Sequence, residues 1–126
     1  MSMDSQDKSY PLKSSFSFAF SGILTALRME RNMRFHFISS IIVLLISIYF
    51  SITKIEWIFI LFTIGGMFAL ELLNTAIERV VDLVTADYHP LAKQAKDMAA
   101  GAVLVYAALS VVIGIVIFLP YVLKLF

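Results

Sequence analysis

From Met98 to Leu123 the chain runs for about 26 residues without a charged side chain, and no other feature restricts its fold so tightly. In hydrocarbon every backbone N–H and C=O must be satisfied within the segment, so a run of that length crosses a bilayer as an α-helix. Pro120 falls near its end, where a kink costs little. Phe37 to Thr53 offers about 17 uncharged residues, enough to cross if Phe35 and His36 sit at one edge. A third run, from Trp57 to about Val81, is apolar at first and acidic at its far end. Lys54 and Glu56 mark a short polar turn between these two, and Trp57 suits the interfacial aromatic belt. The expected architecture is an all-α integral membrane protein with spans over about 35–53, 57–82 and 97–122. With 60% hydrophobic and 15% charged residues, the chain is too apolar for an ordinary soluble domain. Cysteine is absent, which excludes disulfides and thiolate metal sites.

Ahead of the spans, residues 1–13 are polar, mixed in charge and carry Pro11, and read as a flexible N-terminus before a single domain over 14–126. Ser14 and Ser15 offer an N-cap for a helix over about 15–33. Phe16, Phe20, Ile23, Leu24 and Leu27 recur at helical spacing, with Ser17, Ser21, Thr25 and Arg28 on the other side. That pattern predicts an amphipathic helix lying in the interface plane, too polar and interrupted to span. It is a poor signal peptide, because it runs into Arg28, Glu30, Arg31 and Arg34 with no small-residue cleavage site. Glu30 is the sole acid between Asp7 and Glu56, and its bland reading is an ion pair with Arg31 or Arg34.

Charge placement orients the spans. Lys8, Lys13, Arg28, Arg31, Arg34, Arg79, Lys93 and Lys96 fall on one side, and Lys54 and Lys124 on the other. The positive-inside rule then puts the N-terminus and the loop after the second span in the cytoplasm and the C-terminus outside. No basic tract, RNA-binding motif or glycine-rich phosphate loop is present, so nucleic acid is not an expected partner.

The apolar run from Trp57 ends in E-L-L-N-T-A-I-E-R-V-V-D at 71–82. At about 100° per residue, Glu71, Glu78 and Asp82 fall within roughly 40° of one another, and Asn74 lies roughly 60° away. Three carboxylates and an amide thus share one stripe near hydrocarbon depth, where acids are expensive and mark functional sites by default. The bland alternative is a polar seam that glues helices together. On the same membrane face lie Glu30, Asp87, His89, Lys93, Lys96 and Asp97. Hard cations such as Mg²⁺ take one or two carboxylates plus substrate phosphates, and Glu30 and Glu78 are candidates. Glu71, the deepest acid, is desolvated in a way that suits taking a proton from an alcohol. Lys96 can neutralise phosphate charge, and Asp97 can hold Lys96, bind a ribose or bind the metal. His36, beside a basic cluster, reads as an interfacial residue, and His89 before Pro90 as a helix cap or a catalytic group. These residue types suit phosphoryl transfer, which needs positioning and charge stabilisation more than covalent chemistry. A small proton-coupled transporter would use the same types.

The block at 71–82, followed by H-P-L-A-K-Q-A-K-D-M-A-A-G-A-V at 89–103, closely resembles the small prokaryotic diacylglycerol kinase family, and Glu30 lies at the expected distance upstream. The resemblance covers roughly residues 16–120. It implies a homotrimeric bundle of three-span subunits, each with an N-terminal surface helix, and composite active sites between neighbours in the bacterial plasma membrane. It implies that Glu71 is the general base, that Glu30 and Glu78 bind Mg²⁺ on ATP, and that Asp87, Tyr88, His89, Lys96 and Asp97 contact the nucleotide. Asn74 and Asp82 resemble support for that site. Phe18, Phe20 and Met29 depart from the proteobacterial members, whereas E-R-N-M-R-F-H at 30–36 and H-P-L-A-K at 89–93 resemble the Gram-positive undecaprenol kinase branch. The expected acceptor is therefore undecaprenol, with diacylglycerol as the alternative, and MgATP as the donor.

Overall fold

The computed structural model of the chain describes residues 11–126. Four α-helices follow one another: α1 (Leu12–Met29), α2 (Arg31–Phe50), α3 (Lys54–Val84) and α4 (Pro90–Leu123). The last three are long and apolar enough to cross a membrane. Most of the expected flexible N-terminus lies outside the described residues, and Leu12 and Lys13 are already helical.

The first helix starts earlier than expected. Its N-cap is Pro11, not Ser14 or Ser15, and the N–H groups of Ser14 and Ser15 reach the Pro11 carbonyl. It also stops earlier, at Met29, because Glu30 adopts an extended conformation (φ −108°, ψ 120°) that ends α1 and begins α2. No glycine or proline announces this break. It is held by Arg34, whose Nη1 donates to the carbonyls of Arg28 (2.8 Å) and Leu27 (3.4 Å), satisfying the open end of α1.

Between α2 and α3 the turn is Ser51–Thr53, and Lys54 and Glu56 belong to the first turn of α3, not to the connection. Thr53 and Glu56 form a capping box: Thr53 Oγ1 accepts from the Glu56 N–H (3.2 Å) and Glu56 Oε1 from the Thr53 N–H (2.9 Å). At the start of α4, Pro90 stands at the first helical position, where its missing N–H costs nothing, and His89 Nδ1 caps the Leu91 N–H at 3.1 Å.

Helices α3 and α4 form the principal packed pair; α2 lies on α3, and α1 touches both. Tyr106 of α4 lies over Gly66 of α3 and donates its hydroxyl to the Phe62 carbonyl at 2.5 Å, a close approach that only a residue without a Cβ permits. The buried apolar cluster of Ile52, Ile60 and Ile117, flanked by Phe50, Trp57 and Phe118, sits at the end where α2 turns into α3. At about 1.5 Å per residue α3 is about 46 Å long, well beyond a hydrocarbon layer of about 30 Å. Measured from Trp57, Glu71 lies about 21 Å along the axis and Glu78 about 32 Å, distances that bracket that thickness.

Candidate active site

The stripe expected on α3 is present, and the other helices close on it unequally. Glu71 is 3% exposed and Asn74 8%. The Glu71 Oε2 stands 3.8 Å from Nε2 of His36, which α2 brings across from the neighbouring helix. Asn74 Nδ2 is 3.5 Å from Glu78 Oε1, a long contact one turn away, and the buried Oδ1 of Asn74 has no hydrogen-bond partner. Such an orphaned acceptor is uncommon in a folded protein and calls for a reason.

Glu30 joins this cluster through the helix break. Its Oε1 meets Arg79 Nη2 at 3.4 Å, so its partner is on α3 rather than Arg31 or Arg34. The extended backbone at Glu30 turns its carboxylate toward α3, and Arg34 is occupied by the carbonyls at the end of α1. Glu71 lies within electrostatic range of both Glu78 and Glu30. Among the described residues no three acids or imidazoles converge closely enough to hold a metal ion by themselves.

Above the stripe, α3 and α4 splay around the loop that joins them. The resulting cleft, about 280 Å³, is lined by Asp82, Asp87, Tyr88, His89, Lys96 and Asp97 among others. Six of the nine residues expected to contact or support a nucleotide thus share one concavity, whereas Glu30, Asn74 and Glu78 lie outside its lining. Thr85 shapes the loop, its hydroxyl accepting from the Asp87 N–H and donating to the Asp87 carbonyl, both at 3.2 Å. The ion pairing differs from expectation. Lys96 reaches across to Asp82 (2.6 Å), and Asp97 is held by Lys93 (2.5 Å) one turn before it on α4. Helix register explains this, since Lys96 and Asp97 are adjacent and point about 100° apart, whereas Lys93 and Asp97 share a face. Asp82, Asp87 and Asp97 together with Lys93 and Lys96 give the cleft side chains of both charge types, which suits a polyanion carrying a cation better than either alone.

From sequence His36 reads as an interfacial residue, Arg79 only as one of the charges that orient the spans, and Lys93 as a member of this face with no partner assigned. Their partners are on other helices or depend on register around the break, and no local motif carries that information.

A second, apolar groove of about 360 Å³ runs between α2, α3 and α4, walled by Val43, Ile60, Ile64, Met67 and Phe118, with His36 at the end nearest Glu71.

Comparison with known proteins supplies the remaining observation. Residues 17–118 match the family model described as prokaryotic diacylglycerol kinase. The chain is 51% identical over 121 residues to the undecaprenol kinase of Bacillus subtilis, an alignment covering 94% of this chain and 98% of that one. It is 41% identical over 112 residues to a diacylglycerol kinase of Synechocystis, covering 88% of this chain and 64% of that one. With the diacylglycerol kinase of Haemophilus influenzae it shares 34% identity over 105 residues, 83% of this chain and 86% of that one.

Proposed function

The chain belongs to the prokaryotic diacylglycerol kinase family, and from that premise we propose that it transfers the γ-phosphoryl group of MgATP to the hydroxyl of undecaprenol, giving undecaprenyl phosphate. The observation that carries the acceptor assignment is the 51% identity, over nearly the full length of both chains, to an undecaprenol kinase. Diacylglycerol is the second reading, favoured by the more distant relatives named for that substrate. The groove between α2, α3 and α4 supports a long hydrocarbon acceptor: its walls are mostly apolar, and three of its four hydroxyl side chains, Ser40, Thr63 and Ser110, donate to the carbonyls of His36, Ile60 and Tyr106.

In the proposed reaction Glu71 is the general base. The acceptor enters sideways from the cytoplasmic leaflet, its hydroxyl gives a proton to the Glu71 carboxylate, and its oxygen forms a bond to the γ-phosphorus. The bond from that phosphorus to the bridging oxygen of ADP breaks, and ADP leaves. Depth supports this role, because a carboxylate only 3% exposed, with its neighbour His36 at the end of an apolar groove, meets an alcohol away from bulk water. Asp87, Tyr88, His89, Lys96 and Asp97 hold the nucleotide in the loop cleft, with Asp82 fixing Lys96 and Asn74 supporting Glu78.

Glu30 and Glu78 fit Mg²⁺, being hard oxygen donors, and the buried Oδ1 of Asn74, whose amide nitrogen meets Glu78, is unpartnered among the described residues and adds an oxygen donor of the same kind. When bound, Mg²⁺ offsets the charge of the transferring phosphoryl group. In this reading neighbouring subunits of a homotrimer complete the site, and α1 lies along the cytoplasmic surface. On the same reading the N-terminus and active site are cytoplasmic and the C-terminus is outside, in the bacterial plasma membrane, a topology supported by the positive-inside bias of the basic residues in α1, α2 and the α3–α4 end.

A kinase assay in mixed micelles with MgATP and either lipid, with an enzyme-free sample as the blank and Glu71→Gln run beside the wild type, tests this. Preference for undecaprenol is expected. Preference for diacylglycerol would retain the chemistry and replace the acceptor, whereas no phosphorylation of either above the blank would remove the kinase assignment.

A further inference from the structure

The proposed reaction leaves His36 without a task, although α2 brings its imidazole to the carboxylate expected to do the chemistry. Its Nε2 stands 3.8 Å from Glu71 Oε2, and the two side chains are 18% and 3% exposed. The pairing is made between α2 and α3, so it exists only once those helices pack. At 3.8 Å it is an ion-pair distance, and closing by about 1 Å would make it a hydrogen bond. Catalytic contacts are commonly this loose before substrate arrives.

The surroundings make the pairing more than a fortunate contact. Glu78 and Glu30 both place negative charge near Glu71, Arg79 answers the charge of Glu30, and Asn74 on the next turn directs its amide toward Glu78. His36 is thus what faces Glu71 with a possible N–H. It also lines the apolar groove, where the hydroxyls of Ser40, Thr63 and Ser110 are already spent on backbone carbonyls. The Ser40 bond goes to the carbonyl of His36 itself at 2.7 Å, one turn below it on α2.

We infer that His36 is a positioning residue: its Nε2 holds the Glu71 carboxylate turned toward the end of the α2–α3–α4 groove, where the acceptor hydroxyl arrives. This rests on the assignment of Glu71 as the base. His36 gives up no proton in the step and takes none; it fixes which carboxylate oxygen faces the alcohol.

The test uses the full chain in mixed micelles with undecaprenol and MgATP. His36→Leu keeps comparable bulk and removes the donor, while His36→Gln restores an N–H near the position of Nε2. His36→Leu is expected to lower kcat on the order of 10-fold with the KM for MgATP unchanged, and His36→Gln to recover most of it. In a Glu71→Gln background, His36→Leu is expected to cost nothing further, since the carboxylate it holds is gone. Equal losses in the Leu and Gln variants, or an added loss in the Glu71→Gln background, would reduce His36 to packing and overturn the inference. Full activity in His36→Leu would overturn it while leaving the base in place. Full activity in Glu71→Gln alone would instead remove the base, and the inference with it.

Discussion

Glu56 and Glu71 stand on one helix about 22 Å apart, and their surroundings treat them in opposite ways. Glu56 Oε1 accepts from the Thr53 N–H at 2.9 Å and from the Tyr121 hydroxyl at 2.5 Å. Phe50 stacks on the Tyr121 ring at 5.5 Å, and the Lys124 ammonium lies 5.8 Å from that ring. The adjoining Ile52, Ile60 and Ile117 cluster completes a closed end that ties α2, α3 and α4 together. At the other end Glu71 is almost fully buried yet has an imidazole no nearer than 3.8 Å, and Asn74 keeps an unsatisfied buried oxygen. A carboxylate whose partners are all supplied by its own fold has a structural job. One buried beside a loose imidazole contact and an unpartnered amide oxygen among the described residues is the contrasting case, since leaving a buried polar atom unsatisfied costs about 1–3 kcal/mol.

That contrast breaks most sharply at Glu71. Glu71→Gln is expected to lower turnover by on the order of 100-fold or more while MgATP binding persists, as read by kinase assay and nucleotide binding in the same micelles. Unchanged turnover would erase the distinction between the two acids. Glu78→Ala is expected to raise the Mg²⁺ concentration needed for half-maximal activity by roughly 10- to 100-fold, the scale of losing a partner at a metal site. A wild-type Mg²⁺ titration in that variant would make Glu78 part of the structural set instead. Midway along the hairpin, Gly66→Ala would drive a Cβ into the Tyr106 ring. It is expected to cost about 1–3 kcal/mol in thermal or detergent unfolding, and an unshifted transition would show that α3 and α4 adjust freely there. At the closed end, Thr53→Ala removes the cap of α3 and is expected to cost about 1 kcal/mol of stability with kcat unchanged. A fall in kcat without a loss of stability would mean that the two ends are coupled.

The acid stripe was legible in sequence because its two ingredients are local. Helical spacing aligns Glu71, Glu78 and Asp82, and an apolar run around them makes their charge expensive. The loop residues Asp87, Tyr88 and His89 were legible as well, since Pro90 marks the start of α4 and bounds the connection. The break at Glu30 was not. It has no turn residue, and what stabilises it is an arginine four positions later reaching back to the carbonyls of α1. The same holds for the cap of α1, where serines offered a familiar start and Pro11 took the position.

By itself the sequence determined that the chain is helical, that three of its helices are able to cross a bilayer, and that one carries acids at a depth where acids are costly. Those are properties of length, periodicity and solvation, which act within a single helix. Which groups face those acids was decided only by tertiary structure. The approach of His36 to Glu71, of Arg79 to Glu30 and of Lys96 to Asp82 depends on how whole helices are rotated and stacked. That rotation is set by packing such as Tyr106 over Gly66 and by a one-residue break at Glu30, neither of which leaves a periodic trace in the chain.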